Sequence, residues 1–222
     1  MIIAVDGPAG AGKSTIAKLL AEKLGFLYVD TGAMYRALTL KADNQNMDFS
    51  DIPGLVKMAE KTKIVLEKNK KGKTIVFLDG FDVSDAIREP IITNAVYKLA
   101  RLAEIRQIMV SWQRDYGKKH SIVMEGRDIG TVVFPKAEIK FYLDATAEIR
   151  AKRRMIELKE KEIDILLEEL IKQIEERDHK DKTRKCGPLK IDDDAIYIDS
   201  SALDIPQVVD TMLNYLKDYN EK

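Results

Sequence analysis

Residues 1–24 read MIIAVDGPAGAGKSTIAKLLAEKL, and the reading of this stretch decides the fold. Ile2, Ile3, Ala4, Val5 and Asp6 have the composition of a short buried strand. Gly7-Pro8-Ala9-Gly10-Ala11-Gly12-Lys13-Ser14 follows at once and matches G-x-x-x-x-G-K-[ST] at every fixed position. Ile16, Leu19, Leu20 and Leu24 then recur at helical spacing, with Lys18, Glu22 and Lys23 on the wet side. Strand, glycine loop and helix in this order let backbone N–H groups turn inward around a phosphate. The helix adds its positive dipole end and its unpaired amides. The expectation is a nucleoside triphosphate site built from Gly7, Pro8, Ala9, Gly10, Ala11, Gly12, Lys13, Ser14 and Thr15. Lys13 would reach the β/γ oxygens, and the Ser14 hydroxyl would ligate Mg²⁺.

The bulk numbers narrow the company such a site keeps. In 222 residues, Lys+Arg and Asp+Glu each count 37, so net charge is zero. That balance speaks against a protein held to nucleic acid or membrane by bulk charge. A single cysteine, Cys186, has no thiol partner for a disulfide or a metal site and reads as a free thiol in a reducing compartment. The N-terminus enters the first strand without a basic region or a long apolar stretch, so no signal peptide is expected. No apolar run approaches the roughly 18 residues of a membrane span. A soluble cytoplasmic protein is expected.

Along the chain, Gly25 caps the first helix, and Phe26-Leu27-Tyr28-Val29 reads as a second buried strand. Asp30-Thr31-Gly32 opens a second helix carrying Tyr35 and Arg36 near its start. The run strand, helix, strand, helix is the pattern of a parallel sheet covered by helices. Asp51-Ile52-Pro53-Gly54 spells D-x-x-G, but no apolar strand precedes it, and it reads as a helix-initiating loop before Leu55–Glu60. Ile64-Val65-Leu66 and Thr74–Leu78 form a hairpin across a polar stretch, and Asp79-Gly80 turns the chain into Phe81-Asp82-Val83. This antiparallel meander interrupts the strand–helix alternation and reads as an insertion. Pro90 to about Tyr116 is helical, in one or two pieces, with Trp112 on its apolar side. Strands at 121–124 and 139–143 end in Glu125-Gly126-Arg127-Asp128 and Asp144. Ala147 to Glu176 is long, charged and mostly helical, with an apolar stripe through Ile163, Leu166, Leu167, Leu170, Ile171 and Ile174. A last strand at Ile196–Ile198 precedes Asp199-Ser200-Ser201 and a terminal amphipathic helix.

Ligands in open α/β sheets bind beyond the carboxyl ends of the strands. The polar clusters at 7–14, 30–36 and 125–128 all follow strand ends and should crowd one rim. Arginines dominate these clusters and the later helical segment: Arg36, Arg106, Arg127, Arg150, Arg153, Arg154, Arg177 and Arg184. A planar, permanently charged guanidinium suits bidentate contact with phosphate. The inventory fits phosphoryl transfer to an acceptor that is itself a phosphate, because that nucleophile is already anionic and needs no base. The two histidines, His120 and His179, sit in no acid–base arrangement and read as surface residues. Taken one at a time, Arg127-Asp128 also fits a plain ion pair, Glu125 a sheet-end cap, and Arg177 with Asp181 an i,i+4 helix pair.

Longer stretches resemble the bacterial cytidylate kinase family: DGPAGAGKST (6–15), DTGAMYRAL (30–38), DGFDVSDAIR (79–88), EGRDIGTVVFPKA (125–137), FYLDAT (141–146), RAKRRM (150–155), EERDHKDKTR (175–184) and DSSAL (199–203). The resemblance runs nearly end to end. It implies ATP as donor, Mg²⁺, and CMP or dCMP as acceptor, giving CDP or dCDP. It further implies that Thr31, Tyr35 and Arg36 line the acceptor site, with Arg36, Arg127 and Arg184 on the acceptor phosphate. Arg106 and Asp128 would read the cytosine edge, and Arg177 and Asp181 would reach the ribose hydroxyls. A helical lid would bring Arg150, Arg153 or Arg154 toward the polyphosphate and exclude water. Three positions depart from the family pattern. Tyr97 stands in place of a serine that helps hold the base, and Leu102-Ala103-Glu104 lacks the proline usual before Arg106. Glu162 falls near a glycine that joins the two lid helices, so a stiffer lid or a shifted joint is expected there.

The implied architecture is an α/β P-loop NTPase fold of the monophosphate-kinase type, a parallel sheet flanked by helices with a small antiparallel β insertion and a helical lid. Residues 1–30, 101–149 and 186–222 would form the core, 31–100 an acceptor-binding region with the β insertion at about 60–88, and 150–185 the lid. A monomer is expected. Two other functions fit the loop alone: a kinase for UMP or a non-nucleotide alcohol, and a nucleotide-dependent switch. Against the switch, the chain has no N-K-x-D guanine motif, and its D-x-x-G follows no strand.

Overall fold

Ile3, Ala4 and Val5 are fully buried, as a strand covered on both faces demands. They belong to β1 (Ile2–Asp6), which leads through the glycine loop into α1 (Lys13–Leu24). The computed structural model describes residues 1–69, 74–160 and 162–220. The chain forms two compact units, residues 1–28 with 120–222, and residues 29–119. The second unit takes in 101–119, which the sequence reading grouped with the core.

Among the described residues the main sheet has five strands in the order β2-β6-β1-β7-β8, with β2 at Leu27–Asp30, β6 at Ile122–Glu125, β7 at Ile139–Asp144 and β8 at Ile196–Asp199. β1 pairs in parallel with both β6 and β7, and β7 pairs in parallel with β8. Because side chains alternate along a strand, Ile3, Val5, Phe141, Leu143 and Ile198 share one face. That face packs against Ile16 and Leu20 of α1 and Val208, Met212 and Leu216 of the C-terminal helix α8 (Ile205–Asn220). Ala4, Asp6, Lys140 and Tyr142 fall on the opposite face, in register as Ala4–Lys140 and Asp6–Tyr142. The parallel order places the ends of β1, β6 and β7, with the loops that follow them, at one edge of the sheet.

Local chemistry explains where the helices begin and end. Gly25 ends α1 in a left-handed conformation, φ 68°, with Phe26 N–H donating to Ala21 O at 2.9 Å. The D-x-x-G segment is a helix cap: Asp51 accepts from Gly54 N–H at 3.0 Å, and α3 runs Ile52–Glu60. In the second unit, α2 (Thr31–Asn44) starts on Asp30, whose Oδ1 accepts from Ala33 N–H at 2.8 Å. The insertion is a three-stranded antiparallel sheet of β3 (Ile64–Lys68), β4 (Thr74–Leu78) and β5 (Phe81–Asp82). The tip of its first hairpin, 70–73, lies outside the described residues. The helical stretch after Pro90 is two helices, α4 (Pro90–Ala100) and α5 (Ala103–Lys119). Trp112 is only half-buried; Gln113 beside it is the buried side chain.

The charged stretch after residue 147 divides into α6 (Ala147–Lys159) and α7 (Leu167–Thr183). The apolar stripe expected across it is only partly used. Leu170 is buried, whereas Leu166 is 74% and Ile163 44% exposed, because both precede α7 in the connection. Glu162 occupies the left-handed region at φ 59°. Its N–H donates to Lys159 O and Ile163 N–H to Leu158 O, each at 3.0 Å, the paired bonds of a Schellman ending. The glycine conformation is therefore kept without glycine, at the steric cost of a Cβ in that region. Replacing Glu162 by Gly is expected to stabilise the protein by about 1 kcal/mol, read as a shift in the urea midpoint at constant m-value.

Candidate active site

The loop between β1 and α1 is shaped by its glycines and tied down by its carbonyls. Gly7 has φ 146°, and a Cβ there would stand 2.0 Å from the Leu143 carbonyl oxygen, so only glycine passes β7 this closely. Gly12, at φ 89°, caps α1 without a side chain. Ala9 O accepts from Arg150 Nη1 at 3.0 Å, and Ala11 O from Arg153 Nη1 at 3.5 Å. The amides of the first turn of α1 have no intrahelical acceptor. Ser14 and Thr15 are exposed there, beside buried Lys13.

Lys13 Nζ donates to Pro8 O at 2.6 Å. Burial, and then the repulsion of Arg127, pull its pKa down from 10.5 to about 7, against the attraction of Glu125. Arg127 Nε bonds Asp181 Oδ2 at 2.8 Å, and Arg184 Nη2 stands 3.5 Å from Asp128 Oδ1. Burial works against the charge of Asp181, but Arg127, with Arg184 and Arg177, outweighs it and holds the carboxyl below its ordinary range. Arg184 is further held by Nε on the Gly187 carbonyl at 2.5 Å. Glu125 ends β6, buried, and accepts from the Tyr28 hydroxyl at 2.5 Å. Arg177 lies on the exposed side of α7. The first unit thus gathers the phosphate loop, Lys13, Arg127, Asp128, Asp181 and Arg184.

The three arginines expected on the polyphosphate have different surroundings. Arg150, 4% exposed, donates to Ala145 O, to Ala9 O, and to both oxygens of Asp178 at 3.1 and 2.6 Å. Arg153 clasps Ser200, with Nη1 on Oγ at 3.1 Å and Nη2 on the carbonyl at 2.7 Å. Arg154 pairs with Glu157 on the solvent side of α6. Arg150 and Arg153 therefore fasten the loop's backbone to α7 and to the turn after β8.

In the second unit, Thr31, Tyr35 and Arg106 are buried, and Arg36 is partly so. Arg36 Nη2 lies 3.4 Å from Asp30 Oδ2, so the carboxylate that caps α2 also holds this guanidinium. Arg106 Cζ stands 5.9 Å from the centroid of the Tyr35 ring, and its Nη1 donates to Ala100 O at 3.4 Å. Tyr97, the departure from the family pattern, is 46% exposed on α4. His120 and His179 are both exposed.

Sequence reasoning gave no role to Asp6, Asp178 or Ser200. Asp6 carried a readable signal, a carboxylate closing an otherwise apolar strand. Asp178 and Ser200 carried none, since their partners are remote in sequence.

A glycine phosphate loop on a parallel sheet, facing a cluster of fixed cations, defines a P-loop nucleotide-binding protein. Solved structures agree on the fold: a shikimate kinase from Bacteroides thetaiotaomicron superposes with TM-score 0.50 at 12% identity, and an uncharacterized protein from Eubacterium ventriosum with TM-score 0.53 at 14%, each over 98% of both chains. The family is shown by sequence. The cytidylate kinase model matches residues 3–218. Cytidylate kinases of Clostridium botulinum (strain Loch Maree / Type A3) and Desulforamulus reducens are 47% and 48% identical over 215 residues, covering 97% of this chain and 97% and 96% of theirs. That of Caldicellulosiruptor saccharolyticus is 46% identical over 211 residues, covering 95% of this chain and 93% of its own. The chain belongs to the cytidylate kinase family.

Two outcomes follow from the electrostatics. Asp178→Ala strands a buried guanidinium and should cost about 3 kcal/mol in urea unfolding, whereas Glu157→Ala, which breaks an exposed pair, should leave stability nearly unchanged. Lys13 binds fewer protons folded than unfolded between its folded value of about 7 and the ordinary 10.5. Stability should therefore rise with pH across that window. Lys13→Met should stabilise the ligand-free protein most at the low end, with the difference shrinking toward the high end. A pH-independent difference would contradict the depressed pKa.

Proposed function

We propose that this protein transfers the γ-phosphoryl group of ATP to the phosphate of CMP and dCMP, acting as a monomer in the cytoplasm. The observation that carries the reading is the cationic cluster of the first unit. Lys13 is buried beside Arg127 strongly enough to weaken its own hold on a proton, a situation that an arriving polyanion relieves. Family membership supplies the substrate class, since the relatives are named cytidylate kinases.

In this reading the loop amides and Lys13 hold the donor phosphates. Arg127 and Arg184 neutralise the acceptor phosphate, letting one of its oxygens approach the γ-phosphorus in line. The bond from that oxygen to phosphorus forms as the bond to the β–γ bridging oxygen breaks, and ADP leaves. No general base is called for, because the attacking oxygen already carries charge. Asp128 accepts from the cytosine amine, and Arg177 with Asp181 serves the ribose. Thr31, Tyr35, Arg36 and Arg106 of the second unit keep the acceptor roles implied by the resemblance.

The donor set suits a Mg²⁺ that arrives with the triphosphate. Among the described residues no group of three or more His, Cys, Asp or Glu could hold a metal alone, while the Ser14 hydroxyl is exposed beside Lys13. Such an ion keeps mostly phosphate and water oxygens. The Ser14 hydroxyl would hold it, and it would supply charge neutralisation of the donor phosphates. In this reading residues 150–185 act as the lid, as the resemblance implies. Closing it over ATP keeps water from replacing the acceptor.

A coupled ADP-release assay with ATP and each nucleoside monophosphate tests the reading. CMP and dCMP are expected to turn over best. Turnover with AMP or GMP but none with CMP would refute the substrate. Asp128→Ala should lower kcat/KM for CMP about 10- to 100-fold, the loss of one charge-assisted hydrogen bond, with little change in ATP binding.

A further inference from the structure

Asp6 closes β1, one residue before the phosphate loop, and it is buried. A carboxylate in that position is costly unless its oxygens are matched by donors. Both are: Oδ1 accepts from Ile129 N–H at 2.8 Å and Oδ2 from Gly130 N–H at 2.7 Å. These are the leading amides of a single π-helical turn, Ile129–Val133. The turn lies tight on the sheet, since a Cβ at Gly130 would stand 3.4 Å from Asp6 Oδ2 and 3.1 Å from Lys140 Cδ.

The residue that should cap this turn is Asp128. Aspartate is among the best N-cap residues because its side chain reaches back to the second or third amide. Asp128 occupies the N-cap position, at φ −150° and ψ 30°, and makes no capping hydrogen bond. Its Oδ1 instead lies 3.5 Å from Arg184 Nη2. The cap comes from the far side of the sequence, 123 residues away.

We propose that Asp6 is a positioning residue for acceptor recognition: by capping the 129–133 turn it keeps the Asp128 carboxylate on the Arg184 side instead of on its own helix end. Without Asp6 the two amides lack their acceptor, and Asp128, at the N-cap, is the residue placed to take the second of them, Gly130 N–H. Asp6 then acts on base selection through Asp128 without touching the base. The inference rests on the reading of Asp128 as the group that meets the cytosine amine.

The test compares Asp6→Asn and Asp6→Ser with Asp128→Ala and the Asp6→Asn/Asp128→Ala double variant, measuring kcat and KM for CMP, UMP and ATP. Asp6→Asn is expected to raise the KM for CMP about tenfold, as for a weakened charge-assisted contact. It should lower the CMP-to-UMP preference while moving the KM for ATP less than about twofold. The double variant should show no lower base preference than Asp128→Ala alone, because both changes remove one function. Parallel losses with ATP and CMP, or an unchanged CMP-to-UMP preference, would overturn the positioning role. So would failure of both Asp6 variants to fold, which would make the role structural. If Asp128→Ala itself leaves base preference intact, the assignment of Asp128 fails, a result distinguishable from an Asp6 effect that is merely absent.

Discussion

The burial of the Lys13 ammonium beside a second cation, Arg127, is the constraint on which the first unit depends. Lys13 sits in a protein environment that penalises its ammonium, first by burial and then by Arg127. Glu125 and Asp181 offset this only in part. In the proposed reaction this arrangement is preorganised for a polyanion, which lowers the reorganisation needed when charge gathers in the transition state. The same feature works against stability in the free protein, as expected where a fold gives up stability for function.

Such a site holds its shape only if the loop backbone is anchored elsewhere. The carbonyls of Ala9 and Ala11 accept from Arg150 and Arg153, so the loop is fastened by its acceptors, and the amides of the first turn of α1 keep no intrahelical partner. The arginines of one short helical stretch consequently do unlike things. Arg150 is a buried strut between the loop and α7, Arg153 binds the turn after β8, and Arg154 remains in water with Glu157. A buried pair such as Arg150–Asp178 contributes little net stability against an apolar substitute, but it specifies one arrangement of the groups around it. That specificity is what a phosphate site requires.

Two local irregularities show how the rest of the chain accommodates this centre. Glu162 takes the left-handed conformation that ends α6, although its Cβ makes that costly. The hydrogen bonds at the end of α6 outweigh the preference of one residue. At the 129–133 turn the cap comes from a neighbouring strand, and the local aspartate faces elsewhere. Both are places where local preference yields to the packing around it.

The phosphate loop, the parallel order of elements, the antiparallel insertion and the helix starts at Asp30 and Asp51 were legible in the amino-acid sequence. Each depends on interactions a few residues apart, such as a cap reaching its third amide or glycine relieving one backbone angle. Apolar periodicity likewise placed the strands and helices, though it misjudged Trp112 and the exposed Leu166, whose environments depend on what packs against them. The sequence also displayed the arginines and carboxylates of the site, but not their pairing. Arg150 finds Asp178 at a separation of 28 residues and Asp6 finds Ile129 at 123. Charges carry no local signature of their partners, because the attraction between them becomes specific only when folding removes water and sets distance. Which cations hold the scaffold was therefore decided by the tertiary structure.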